Sequence, residues 1–127
     1  MVRSIAPQCV WVRSMSGALD FYLAAGCDVV GAADGWVRLR NAGNTFIVAR
    51  GPVLPGTPVP EIPELVTADL AETCGRLKAL GVEPGTVTRS PEAPGGRISV
   101  RDPERHTVVV RQADAVGLPA ASRRAMS

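Results

Sequence analysis

The sequence predicts an α+β protein: two tandem βαβββ modules forming a curved eight-stranded sheet, with helices outside and a concave cleft inside. Three observations carry this expectation. Residues 12–25 run strand, polar break, amphipathic helix and close on Ala24-Ala25-Gly26, and residues 66–80 repeat the plan and close on Ala79-Leu80-Gly81. Those two glycines stand 55 positions apart. Val37-Arg38-Leu39-Arg40 is echoed by Ile98-Ser99-Val100-Arg101, and Ile47-Val48-Ala49-Arg50 by Val108-Val109-Val110-Arg111, both at a spacing of 61. A duplicated unit with a longer loop in its second copy accounts for both spacings.

Each element has a local reason. Gln8–Val12 is a short apolar run and reads as a buried strand. Ser14 is placed to cap a helix whose apolar face is Met15, Leu19, Tyr22 and Leu23, and Gly26 stops it. Strands are expected at 27–32, 36–40 and 45–49, joined by Asp34-Gly35, a strong tight-turn signal, and by a second turn at Asn41-Ala42-Gly43-Asn44. Residues 51–60 hold four prolines and two glycines and read as an extended linker.

The second copy restarts with a strand at 61–67. Asp69 and Glu72 have capping-box spacing, and Leu70, Cys74, Leu77 and Leu80 form the helical stripe. A strand is expected at 82–87, an irregular loop at 89–97 around Ser-Pro-Glu-Ala-Pro-Gly-Gly, and strands at 98–101 and 107–111. The expected organisation is a single domain over 1–113, with modules at about 6–50 and 61–112 and a flexible tail at 114–127. One such module cannot cover both faces of its own sheet, so two must pack together, leaving a cleft as the default ligand site.

Composition excludes several classes. With 46% apolar residues among 127, the chain can build a core without staples. A net charge of +2, carried by scattered single arginines, lacks the clustered basic face that nucleic acid requires. Three cysteines (Cys9, Cys27 and Cys74) have no zinc-like spacing and read as free thiols in a reducing cytoplasm. No apolar stretch approaches a membrane span, and Met1-Val2-Arg3-Ser4 does not open a signal peptide. Heavy use of Ala, Gly, Pro and Arg suggests a bacterial source with GC-rich DNA.

The ordered set Ala18-Leu19-Asp20-Phe21-Tyr22, Ala24-Ala25-Gly26, Thr67-Ala68-Asp69-Leu70, Leu77-Lys78-Ala79-Leu80-Gly81-Val82 and Val100-Arg101-Asp102-Pro103-Glu104 resembles the vicinal oxygen chelate superfamily over about residues 8–112. That superfamily includes glyoxalase I, extradiol dioxygenases, and fosfomycin- and bleomycin-resistance proteins. The resemblance implies paired βαβββ modules, commonly a homodimer, and in most of the enzymes a divalent metal. Its metal ligands come from the first and last strand of each module, usually His or Gln and then Glu. By strand register those positions are Pro7, Val48, Ile62 and Val109, none of which can coordinate a cation. A one-residue shift gives Gln8, Ala49, Pro63 and Val110, with one weak donor. The expectation is therefore a branch without metal or other cofactor. His106 reads as a turn residue.

In register with those positions, alternation turns Cys9, Trp11 and Arg13, Phe46, Val48 and Arg50, Glu64 and Val66, and Val109 and Arg111 inward. Trp36, Arg38 and Arg40 join them if Val37 and Leu39 pack under the helices. The ligand-binding candidates are Trp11, Trp36, Arg38, Phe46, Val48, Glu64, Val109 and Arg111. Aromatic walls suit a flat organic ligand, and arginines suit an anionic substituent. The same aromatics also suit a core, the same arginines solvated strand ends or dimer contacts, and Glu64 either a desolvated base or a surface carboxylate.

Three functions are compatible with this pattern. The first is a metal-free binding protein that captures a small planar aromatic or anionic molecule, such as an antibiotic or biosynthetic intermediate. The second is a metal-free isomerase, cyclase or lyase using Glu64, His106 or an arginine. The third is a catalytically silent scaffold. Small organic ligand and homodimer are the expected partners, with no nucleic acid and no membrane.

Overall fold

A computed structural model of the chain describes residues 8–52 and 62–113. Pro7, most of the expected linker and the expected tail lie outside the described residues. The first module comprises β1 (Gln8–Val12), α1 (Met15–Ala24), β2 (Asp28–Ala33), β3 (Trp36–Asn41) and β4 (Asn44–Arg50). The second comprises β5 (Leu65–Thr67), α2 (Leu70–Ala79), β6 (Thr88–Ser90), β7 (Ala93–Arg101) and β8 (Thr107–Gln112). The eight strands form two four-stranded sheets of identical plan, β1-β4-β3-β2 and β5-β8-β7-β6. In each, the first strand runs parallel to the last and the other pairings are antiparallel.

The helices start and stop where their caps dictate. Ser14 Oγ accepts from Gly17 N at 3.4 Å, and Asp69 accepts from Glu72 N at 3.1 Å. The capping box is only half made, because the Glu72 side chain pairs with Arg76 one turn on instead of reaching back. Gly26 and Gly81, at φ of +107° and +82°, terminate the two helices in a conformation that L side chains resist. α1 buries Ala18, Phe21 and Tyr22, while Leu23, expected on that face, is exposed. α2 buries Leu70, Thr73 and Leu77, and Leu80 is exposed.

Two expected segments fall differently. Residues 82–87 form no strand: Pro84 and Gly85 interrupt them, and Gly85 N makes an isolated bond to Ser99 O at 3.2 Å. Residues 89–97 are not an irregular loop but the β6–β7 hairpin, with Ser90 paired to Ala93. Its Gly96 (φ +107°) lies so close to Val87 that a Cβ would stand 2.7 Å from Cγ1, so the glycine permits a bulged strand rather than breaking it.

One apolar core unites both modules. Val10, Val12, Phe21, Tyr22, Leu39, Phe46 and Val48 meet Leu65, Leu77, Ile98, Val108 and Val110, all less than 2% exposed. Polar ties reinforce it. Asn41, itself buried, donates to Gly26 O (3.2 Å) and Val66 O (3.0 Å) and accepts from Val66 N (2.7 Å). Arg76 Nε donates to Ala24 O at 3.0 Å. Asp102 in the β7–β8 loop accepts from the buried Tyr22 hydroxyl at 2.8 Å. The core therefore lies on the helix side of each sheet, and the opposite face of each sheet is turned away from it.

Burial pushes the Cys27 thiol up to about 12, with Asp28 adding to the effect, and raises Cys9 as well. A thiol pKa raised on folding stabilises the native state fully below the ordinary value near 9, and that contribution is lost as pH climbs towards 12. Iodoacetamide at pH 8 will accordingly leave Cys27 unmodified in the folded protein and alkylate it in urea, as peptide mass mapping will report. Equal rates in both states would contradict its burial.

Candidate functional site

Strand register decides which side chains share a face. Trp11 on β1 and Trp36 on β3 are both partnered with Ala49 on β4, the strand between them. Neighbouring strands stand about 4.8 Å apart, so the two tryptophan backbones are roughly 10 Å apart with a single methyl group between. The row Trp11–Ala49–Trp36 sets the two indoles on either side of an alanine that is itself buried, at 6% exposure. Trp11 is 44% exposed. Gly51 lets its backbone approach that indole closely: a Cβ there would stand 2.9 Å from Trp11 Cε3. The Arg38 guanidinium lies 5.8 Å from the Trp36 ring centroid, within cation–π range. Beyond Trp36, an open pocket of about 120 Å³ is lined by Met15, Asp34, Trp36 and Arg50 among others. It is too small for a drug-sized ligand, which needs about 300–1,000 Å³.

The second sheet presents different chemistry. Arg97 on β7 and Arg111 on β8 are direct cross-strand partners, and Arg111 is paired with Val66 on β5. Glu64, just before β5, reaches both arginines: Oε1 accepts from Arg111 Nε at 3.1 Å, and Oε2 lies 3.0 Å from Arg97 Nε. The second contact is an ion pair without hydrogen-bond geometry, so the buried Arg97 Nε–H has no acceptor. Ser99 and Val109, partners across β7 and β8, continue the same face.

The structure brings Trp11, Trp36 and Arg38 onto one sheet face and Glu64, Val109 and Arg111 onto the other. Phe46 and Val48 are corrections. Both are fully buried on the helix side, and the Phe46 ring packs edge-on against Tyr22 at 5.3 Å. The face beside Trp11 and Trp36 belongs to Ile47 and Ala49 instead. The cause is one residue. The β3–β4 turn places four residues between Arg40 and Thr45, whereas the β7–β8 turn places five between Arg101 and Thr107. Ile47 therefore corresponds to Val109, a spacing of 62 rather than 61, and a one-residue slip inverts every side chain on a strand. Ala49 and Arg97, which sequence reasoning passed over, become visible once the repeat is aligned through that longer turn.

The side chains here do not suit a divalent cation. Val48 points into the core, Ile47 and Val109 offer hydrocarbon, and the carboxylate of Glu64 faces two guanidinium groups. Among the described residues, no group of three or more His, Cys, Asp or Glu converges. His106 is engaged elsewhere, with Nδ1 2.8 Å from Asp102 Oδ2. Glu64, the candidate base, has an arginine against each oxygen and so is already satisfied as an ion pair.

Paired βαβββ modules with these open sheet faces define the vicinal oxygen chelate fold, and solved structures agree. The chain is similar to TnmS3, an antibiotic-binding protein from Streptomyces sp. CB03234 (TM-score 0.61, 20% identity, 90% of this chain and 100% of that one). It is similar to the fosfomycin resistance protein FosX from Mesorhizobium loti (TM-score 0.62, 13% identity, 90% and 95%). It is also similar to a bleomycin-binding protein solved with bleomycin (TM-score 0.57, 18% identity, 88% and 100%). At these identities the likeness is one of fold. No family model matches the sequence, and no curated protein matches it. Among the described residues, no helix is long and apolar enough to cross a membrane.

Proposed function

We propose that this protein is a metal-independent capture protein for a planar, aromatic or anionic organic molecule, acting in the cytoplasm as a homodimer. The Trp11–Ala49–Trp36 row carries the reading. Two indoles spaced across one alanine form a stacking slot on an open sheet face. Stacking there removes apolar area from water at about 25 cal/mol per Å², and aromatic pairing adds to that. The arginines orient whatever charge the ligand bears. Proteins of this fold that bind antibiotics support the ligand class. The two sheets support the homodimer: each is open on one side, and a second copy would lay an aromatic face over an arginine face. A proton-transfer role for Glu64 is disfavoured by its two arginine partners.

Tryptophan fluorescence on EDTA-treated protein tests the proposal. Titration with a panel of planar aromatics, including acridine, 2-naphthoate and anthraquinone-2-carboxylate, will quench with saturation at one ligand per site. Ala49→Leu, which fills the slot, will weaken binding by at least about tenfold, the loss expected when an aromatic contact worth about 1.4 kcal/mol is blocked. Quenching that requires added metal, or that Ala49→Leu leaves unchanged, would refute it.

A further inference from the structure

We propose that Arg97 and Arg111, spread across Glu64, form a subsite for the carboxylate of an aromatic acid. The inference rests on the capture reading above and names the ligand's polar end. Two arginines directly opposite each other on adjacent antiparallel strands repel, so a sheet does not place them together without a counter-charge. Glu64 supplies one negative charge against two positive ones. The cluster is left with a net charge of about +1, a match for a monoanion.

Geometry points the same way. Each guanidinium is held by Glu64 at its Nε edge, 3.0 and 3.1 Å away, which leaves the Nη nitrogens without hydrogen-bond partners among the described residues. These are the donors that grip a planar carboxylate two at a time. Anchoring at Nε also fixes the two planes in advance, so less side-chain freedom is lost on binding. Among the described residues, the face around the cluster also holds Val66, Thr88, Ser99 and Val109, two hydroxyls and hydrocarbon, with no second carboxylate to compete. Glu64 is then a positioning residue that sets the two forks and transfers no proton.

The test uses full-length protein and a matched pair of probes, 2-naphthoate and its neutral isostere 2-naphthamide, followed by isothermal titration calorimetry. Wild type will bind the acid at least about tenfold more tightly than the amide, as expected for charge-assisted hydrogen bonds. In Arg97→Gln and in Arg111→Gln that preference will fall to about twofold or less, while Arg89→Gln, on β6 outside the cluster, will retain it. Thermal melting identifies any variant that does not fold; the wild-type preference alone still decides if both do not. Equal affinity of wild type for acid and amide, or a preference that survives both substitutions, overturns the subsite and leaves the capture reading standing. Binding of neither probe by wild type, with no quenching across the aromatic panel, removes both.

Discussion

Replacing Asp102 with alanine will destabilise the folded protein by about 3–5 kcal/mol, because four groups, one of them fully buried, lose their acceptor at once. Oδ1 accepts from the backbone N–H of Glu104 (3.0 Å) and of His106 (2.7 Å). Oδ2 accepts from Tyr22 Oη (2.8 Å) and faces His106 Nδ1 (2.8 Å). Tyr22 is completely buried, so its hydroxyl has no water to turn to. The same hub shapes the loop, whose Arg105 sits at φ +70°, a conformation that costs energy outside glycine. It also joins the modules, since Tyr22 belongs to α1 and Asp102 to the β7–β8 turn. Tyr22→Phe, which removes one donor and leaves the carboxylate three partners, will cost only about 1–2 kcal/mol. Urea denaturation of the three proteins measures the difference. A loss below about 1 kcal/mol for Asp102→Ala would mean the network does not hold the modules together.

The repeat made the architecture legible because backbone geometry demands it. A helix closed by glycine, a tight turn and a strand ending in arginine are local features, and each recurs in both copies. Capping at Ser14 and Asp69 was readable for the same reason. The site was harder, because a sheet face is a parity and parity is lost with any unrecognised insertion. The turn at 102–106 looked like the counterpart of Asn41-Ala42-Gly43-Asn44, yet it contains an extra residue that lets Asp102 bond to two backbone N–H groups of its own loop. That residue carried β8 one step further along the chain than the echo Ile47-Val48-Ala49-Arg50 to Val108-Val109-Val110-Arg111 implied. Trp11 and Trp36 share a face whatever that turn contains, because alternation along β1 and β3 assigns them without reference to the second copy. Phe46 and Val48 were placed by analogy with Val109, and so inherited its parity.

The hairpin at 88–101 is hidden in the sequence for a different reason. Pro91, Pro94, Gly95 and Gly96 weigh against a strand by propensity, but packing overrides propensity here. Ala93 is buried, and Gly96 holds a positive φ with Val87 so close that a Cβ would stand 2.7 Å from its Cγ1. Arg97, the residue that turns Arg111 from a lone strand end into half of a cluster, lies at the end of that same segment. Read as a loop, the segment gives Arg97 no strand partner.

Phe46→Ala and Trp11→Ala will separate core from ligand face in one experiment. Phe46 is fully buried against Tyr22 and the strands around it, so its truncation opens a cavity and will cost about 3–5 kcal/mol. Ligand affinity, measured on the fraction that remains folded, will change little, since Phe46 faces away from the indoles. Trp11 is 44% exposed on the opposite face, and its truncation will shift stability by less than about 1 kcal/mol. It will also abolish one wall of the slot and with it most of the fluorescence quenching by planar aromatics. The contrast reads out register itself: Phe46 and Trp11 are two strands' worth of alternating side chains, and only one assignment of parity puts the stability loss on the phenylalanine and the binding loss on the tryptophan. The reverse outcome would restore Phe46 to the cleft and require β4 to slip by one residue against both of its neighbours.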